Sequence, residues 1–172
     1  MQIVAFNADD KTGGGKAKIS WLMKDQLTTN HRMNATNTNV NGWPDTEMRT
    51  WLRNTILPTI DSSIKNHIVD VDKTYYDYTT QATKISSDNI WLASAREVSG
   101  GTSYESSGTD YTVLFTNKTS RIKKHSGVGQ HWWLRSAYNN NNMQFCCVYY
   151  DGEVGYNGGK AAVGVCIGFC TD

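Results

Sequence analysis

The chain has 172 residues, enough for one domain with a sizeable core, and 17 basic against 16 acidic side chains give a formal net charge of +1. The basic residues are scattered, densest at Arg121, Lys123 and Lys124, so the concentrated positive face of a nucleic-acid binder is lacking and no nucleic-acid partner is expected. Only 38% of residues are hydrophobic, yet there are 6 Trp and 9 Tyr, so burial must rest on a few large aromatic anchors. No apolar run approaches membrane-spanning length, so no membrane insertion is expected, and residues 1–20 lack the pattern of a signal peptide.

Residues 3–6 read as an opening or edge strand, and a chain that enters a strand straight after Met1 reads as the C-terminal part of a longer protein. Residues 7–16, with Gly13, Gly14 and Gly15, read as a flexible turn, and 18–23 as a second strand. Residues 28–42 are rich in Asn and Thr and read as a loop. A helix is expected from Trp43. Pro44 suits its first turn, Asp45 and Glu47 complement the dipole, and Met48, Trp51, Leu52 and Ile56 form one apolar stripe. Pro58 stops or kinks it, and a short helix follows at 61–66.

Residues 68–72 alternate as a half-buried strand, 90–93 read as a short buried strand, and 94–97 as a helical turn. Residues 100–109 form a Gly/Ser/Thr-rich loop. Strands are expected at 131–136 and 145–150, with a hairpin turn at Asp151 and Gly152 leading to 153–156, and a closing strand at 163–169. Helices early and strands late make an α+β domain occupying residues 1–172. The cysteines, Cys146, Cys147, Cys166 and Cys170, cluster at the end, and four residues along a strand span about 13 Å, too far for a Cys166–Cys170 bridge; buried free thiols are expected, with a cross-strand bridge between one cysteine of each set as the alternative.

Residues 137–160 carry the palette that recognition surfaces favour: Tyr for large contacts with few rotors, Asn to donate and accept, Gly for an adaptable backbone. The candidate ligand-binding set is Tyr138, Asn139, Asn140, Asn141, Asn142, Phe145, Cys147, Tyr149, Tyr150, Tyr156 and Asn157. With Val148 inward, the period of two puts Phe145, Cys147 and Tyr149 on the opposite face, projecting with the loop residues into one patch. Trp132 and Trp133 read as a split pair, one ring in the core and one covering a neighbouring element, and Arg135 as a donor to loop carbonyls. His31, His67, His125 and His131 show no metal spacing, and Asp9, Asp10, Asp70, Asp72, Glu97 and Asp151 no calcium-loop run. Ser94 and Ser136 lack a nucleophile's setting. No catalytic residue, metal or cofactor is expected.

Phe6 to Asp9, Arg32-Met33-Asn34, Gly42-Trp43, Glu47-Met48-Arg49, Trp91 to Glu97 and Trp132-Trp133-Leu134-Arg135-Ser136 occur in this order in a family of gut-bacterial domains that resembles the C-type lectin fold. That family often closes with Gly-Val-Arg-Pro-Ala-Phe, where this chain has Gly164-Val165-Cys166-Ile167-Gly168-Phe169. The Trp-rich strand running into an Asn- and Tyr-laden segment also resembles the variable proteins of diversity-generating retroelements. In those, adenine-directed copying errors rewrite chosen codons over a fixed scaffold. Asn139 to Asn142, Cys147, Tyr149 and Tyr156 are residues such a process would produce, whereas Gln144, Glu153 and Lys160 are not reachable from Asn codons and would belong to the scaffold. The resemblance implies a C-type-lectin-like α+β fold, with early helices and a small late antiparallel sheet with long loops, displaying a hypervariable surface. Its ligand would be a protein or glycan on a cell surface. The parent would be a bacterial surface adhesin or a phage tail receptor-binding protein, of open oligomeric state. The alternatives are a structural domain of a surface protein, or a formylglycine-generating-type enzyme domain, whose C-terminal cysteine pair Cys166 and Cys170 resemble without reproducing its motif.

Overall fold

Strand-forming runs extend from the first residues to the last, and the helices between them are only one or two turns long. The computed structural model describes residues 1–102, 105 and 107–172, so the expected loop at 100–109 lies partly outside the described residues. The strands are β1 (Gln2–Phe6), β2 (Ile19–Leu22), β3 (Ile68–Val69), β4 (Val71–Asp77), β5 (Ala82–Asp88), β6 (Trp91–Leu92), β7 (Lys123–His125), β8 (Val128–Gln130), β9 (Trp132–Ala137), β10 (Gln144–Val148), β11 (Val154–Gly158) and β12 (Ile167–Thr171). They form four antiparallel sheets: β1-β2-β12-β3 with β6 also on β12, then β11-β10-β9, and the hairpins β4-β5 and β7-β8.

The expected α+β layout, early helices and a late C-type-lectin-like sheet, is overturned. Strand accounts for 36% of the structure and helix for 17%, which makes the protein mostly β. Its largest sheet joins the two ends of the chain, with β12 lying between β2 and β3. The physical reason lies in residues 43–60. Thr46 caps α1 (Glu47–Trp51), accepting from Arg49 N–H at 3.1 Å, but the backbone then widens into a π turn at Leu52–Ile56 and tightens into a 3-10 turn at Leu57–Thr59 around Pro58. The apolar stripe therefore tiles one flank of the core without building a helical layer. The other helices, α2 (Ser62–Lys65), α3 (Ala95–Ser99) and α4 (Lys118–Arg121), are single capped turns.

Two hairpins escape a reading of local pattern. The strand expected at 68–72 breaks at Asp70, and its second half continues to Asp77 and pairs along its whole length with β5, a largely polar, exposed strand. The β7-β8 hairpin turns through Ser126 and Gly127 at φ 51° and 85°, the left-handed pair that a tight two-residue turn requires. At the C-terminus regular pairing begins only at Ile167. Val163 and Gly164 instead make single bridges to His31 and Trp132.

β9 divides the interior in two. On one face Trp132 and Leu134 pack with Trp91, Leu22, Tyr111, Cys146 and Val148. On the other, Trp133 and Ala137 pack with Trp43, Met48, Leu52, Phe145 and Cys147. Both tryptophans are fully buried, so neither serves as a cover over a neighbouring element. All six β9 residues are buried, which makes the strand a rigid wall between two clusters.

Gly168 lies in β12 beneath the Trp91 indole, and a Cβ there would sit inside the ring's contact distance. Gly168→Ala should lower stability by about 1–3 kcal/mol through overpacking, read as a shift in the urea midpoint with unchanged slope.

Candidate binding face and the charge cluster behind it

Four ionised side chains from four parts of the chain meet where β9 and β4 pass behind the face. Asp9 follows β1, Lys73 lies on β4, Glu97 on α3 and Arg135 on β9. Each is 0–1% exposed, low enough that water contributes nothing to their solvation. Lys73 Nζ donates to Asp9 at 2.6 Å, to Glu97 at 2.9 Å and to the Tyr111 hydroxyl at 2.8 Å, and stands 3.7 Å from the centre of the Trp91 ring. Arg135 grips Glu97 with both terminal nitrogens at 2.6 and 2.9 Å, and donates to the carbonyls of Thr74 (2.9 Å) and Leu92 (2.6 Å). The loop carbonyls expected as partners of Arg135 are instead strand carbonyls, on β4 and β6, and its remaining partner is a buried carboxylate. Tyr111, Ser20, Thr109 and the Cys170 thiol complete the shell of Asp9.

Two negative and two positive charges cancel, and nearly every lone pair has a donor, the condition for burying ions at tolerable cost. Burial pushes the Asp9 carboxyl upward, but Lys73 and the hydrogen bonds from Lys73, Ser20 and Tyr111 outweigh it and hold Asp9 well below the usual carboxylate range. Glu97 behaves alike: burial raises it, and Arg135 and Lys73 bring it below its ordinary value. Glu97 also closes a capping box with Ser94 at the start of α3. Among the described residues no group of three or more His, Cys, Asp or Glu is placed to hold a metal ion.

In front of the cluster stands the β9-β10-β11 sheet. Tyr149 N–H donates to Glu153 O at 2.7 Å and closes the β10-β11 hairpin. The register Phe145↔Asn157, Cys146↔Tyr156, Cys147↔Gly155 follows. At the turn Gly152, with φ 86°, presses against the Lys118 backbone, where a side chain has no room.

The loop leading into β10 is held from below by a buried amide. Asn39 shares its Nδ2 hydrogens among the carbonyls of Tyr138 (3.0 Å), Asn141 (2.9 Å) and Gln144 (2.7 Å), and its N–H donates to Asn142 O at 2.8 Å. Asn141 turns inward to Gln144 (2.7 Å) and Met143 N–H (2.9 Å) and braces the loop. Outside it the Tyr138 ring stacks on Tyr156 with centroids 3.7 Å apart, and Asn140 donates to the Tyr138 hydroxyl at 2.8 Å. Tyr150, 63% exposed and the most open of the candidate tyrosines, stacks on His131 at 5.8 Å.

Three parts of the sequence reading need correction. Phe145 and Cys147 do not project outward. β10 is the middle strand of its sheet and covered on both faces, so both side chains are fully buried beside Trp133. Tyr149 is not a display residue either. Its ring lies across Gly155, where a Cβ would collide with the phenol, and its hydroxyl accepts from Tyr156 N–H and donates to Tyr156 C=O at 3.2 Å each. These backbone groups point away from β10 in this register, so Tyr149 plugs the free edge of β11. Finally, the candidates do not share one patch. Pairing puts Tyr156 on the Cys146 face of the sheet and Asn157 on the Phe145 face, so the exposed residues line a rim on both sides of an edge strand.

Tyr138, Asn139, Asn140, Asn142, Tyr150, Tyr156 and Asn157 remain at that rim, partly or largely exposed. Pattern reading missed His131 and Asn30. With Gln130, Asn157, Ala161 and Val163 they line an adjoining cleft of about 280 Å³. A larger and more apolar cleft of about 410 Å³, between Trp21, Ile64 and Phe169, lies on the main sheet away from this rim. The candidate thiols of an enzyme are chemically quiet. All four cysteines are buried and outside any disulfide, and burial pushes the Cys147, Cys166 and Cys170 thiols up to about 12.

Residues 19–167 match the family described as "Domain of unknown function (DUF6273)". The chain belongs to this family. No curated protein and no solved structure matches it. The DUF6273 segment runs from the first residue of β2 to the first of β12, so it contains Lys73, Glu97, Arg135 and the whole rim, while Asp9 precedes it.

Lys73→Met should cost this DUF6273 domain about 3–5 kcal/mol, because it strands two buried carboxylates, measured by urea unfolding. Asp9 and Glu97 titrate lower when folded than when unfolded. The stability they contribute is therefore present at neutral pH and lost as pH falls below about 4, where the unfolded chain binds protons first. An acid titration of the thermal midpoint should show this fall, shallower in Asp9→Asn relative to its own neutral value. A thiol-specific reagent should leave the native protein unlabelled at neutral pH and modify all four cysteines in denaturant.

Proposed function

We propose that this domain is a ligand-binding module that recognises a protein or glycan on a cell surface through the rim of Tyr138, Asn139, Asn140, Asn142, Tyr150, Tyr156 and Asn157. The observation that carries this reading is the contrast at the sheet. Partly or largely exposed tyrosines and asparagines stand on the edge strand β11 and on a loop pinned by Asn39, beside strands β9 and β10 that are almost wholly buried. Exposed aromatic groups contribute apolar contact with few rotors to freeze, asparagine amides donate and accept, and a preorganised support lowers the ordering cost of binding. Because the turn at Gly152, the plug at Tyr149 and the brace at Asn141 are internal, rim residues can change without disturbing the backbone. This supports the further proposal of a retroelement-diversified surface on a bacterial adhesin or phage receptor-binding protein, confined to the rim, with Asn141, Cys147 and Tyr149 serving the scaffold instead of the variable set. The thiol-based enzyme reading is less favoured, since protonated, buried Cys166 and Cys170 are poor nucleophiles.

The test is binding of the labelled domain to intact bacterial cells and to immobilised surface glycans, with Tyr150→Ala and the double variant Tyr138→Ala, Tyr156→Ala. Each should weaken binding about tenfold or more while changing stability by less than about 1 kcal/mol. Tyr149→Ala, by contrast, should lower stability, since it uncovers Gly155 and a strand edge. Binding that survives both rim variants would move the site elsewhere. Diversification predicts a reverse-transcriptase gene and an imperfect copy of codons 131 to 170 nearby in the genome, and without them that part of the proposal fails.

A further inference from the structure

The molecule plugs one sheet edge and leaves another open. At β11 the Tyr149 hydroxyl occupies the outward N–H and C=O of Tyr156. At β1, the edge of the main sheet, nothing comparable is present. β1 pairs with β2 alone, and among the described residues no hydrogen bond from any other element reaches the backbone of residues 2–6. Asn7 N–H donates to Lys18 O at 3.1 Å, which by antiparallel alternation turns the N–H and C=O of Phe6 away from β2. The strand holds no charge and no proline, two devices that normally blunt an edge. A register shift between Ile3 and Ala5 bends it without covering it.

The side chains around this edge are apolar on both sides. Ile3 and Phe6 stand on the outer face of the sheet, Phe6 at 65% exposure, and Ile3 continues a row through its cross-strand partner Trp21 to Phe169. On the inner side Val4 and Ala5 pack toward the core, and the turn carrying Val113, 92% exposed, and Leu114 projects beside them. Together these six residues line a notch of about 210 Å³ with no polar side chain. Such a concentration of uncovered apolar groups beside an open backbone edge marks an interaction surface.

An extended strand, uncharged and largely apolar on both faces, fits this edge. β1 meets every one of these conditions: Ile3 and Phe6 outward, Val4 and Ala5 inward, and no charge to meet its own image. We infer that β1 pairs antiparallel with β1 of a second copy about a two-fold axis perpendicular to the sheet. The two main sheets join into one, the outer rows of Ile3 and Phe6 become continuous, and the two Val113–Leu114 turns close the inner side. An isologous contact of this kind is closed and stops at two copies.

Sedimentation velocity and light scattering on the 172-residue chain test this directly. The expected mass is twice 19.2 kDa, falling toward one copy on dilution. Phe6→Glu places two carboxylates at the junction and Val113→Glu charges the inner side. Each should raise the dimer dissociation constant at least about tenfold with an unchanged thermal transition of the monomer. Val113 is exposed enough that its variant folds even if Phe6→Glu does not. A wild-type chain that stays monomeric at every concentration overturns the inference, as does a dimer that Val113→Glu leaves intact.

Discussion

The charge cluster of Asp9, Lys73, Glu97 and Arg135 is the constraint on which the rest of the structure depends. It ties the loop after β1, the long β4-β5 hairpin, α3 and the central strand β9 at a single point, and none of these elements is adjacent in sequence. Removing one ion would leave its partners uncompensated in a medium that cannot solvate them, so the four elements hold one relative arrangement or none. A domain only 38% hydrophobic gains in this way a specific centre that its modest apolar content would not enforce.

Rigidity at that centre passes outward through β9. Arg135 anchors the strand from behind, Trp132 and Trp133 fill the two interior clusters, and β10 rests against it with Phe145 and Cys147 turned in. The rim then stands on strands that have no freedom to rearrange. Exposure and support are separated residue by residue: Tyr150 and Asn140 face water, while Tyr149 and Asn141, of the same types and in the same segment, hold backbone together. A surface built this way tolerates substitution where side chains are free and resists it where they are structural.

Much was legible from local pattern. β1, β2, β9, the β10-β11 hairpin with its Asp151-Gly152 turn, and the capped start of α3 all announce themselves through apolar runs and turn residues. The β4-β5 hairpin did not, because β5 is largely polar and shows no alternation to read. The helix from Trp43 was overestimated, since an apolar stripe is equally compatible with a π turn and a 3-10 turn once Pro58 interrupts the ladder. Nothing in residues 28–42 distinguishes Asn39 from its Asn and Thr neighbours. Its role as the loop's anchor comes wholly from a contact a hundred positions away.

Composition and short-range spacing were enough to show aromatic anchors, cysteines gathered at the end and a Tyr/Asn-rich segment before them, because these depend on residue type and on the few neighbours that periodicity describes. Which of those residues stay exposed was decided only by folding in three dimensions. The period of two says that Phe145 and Cys147 share a face, but not whether that face meets water. Burial on both sides of β10 is a property of the elements stacked against it, and those come from distant parts of the chain. The pairing of Asp9 with Lys73 and of Glu97 with Arg135 is equally invisible in the linear order, since a buried ion shows its partner only when both have left water.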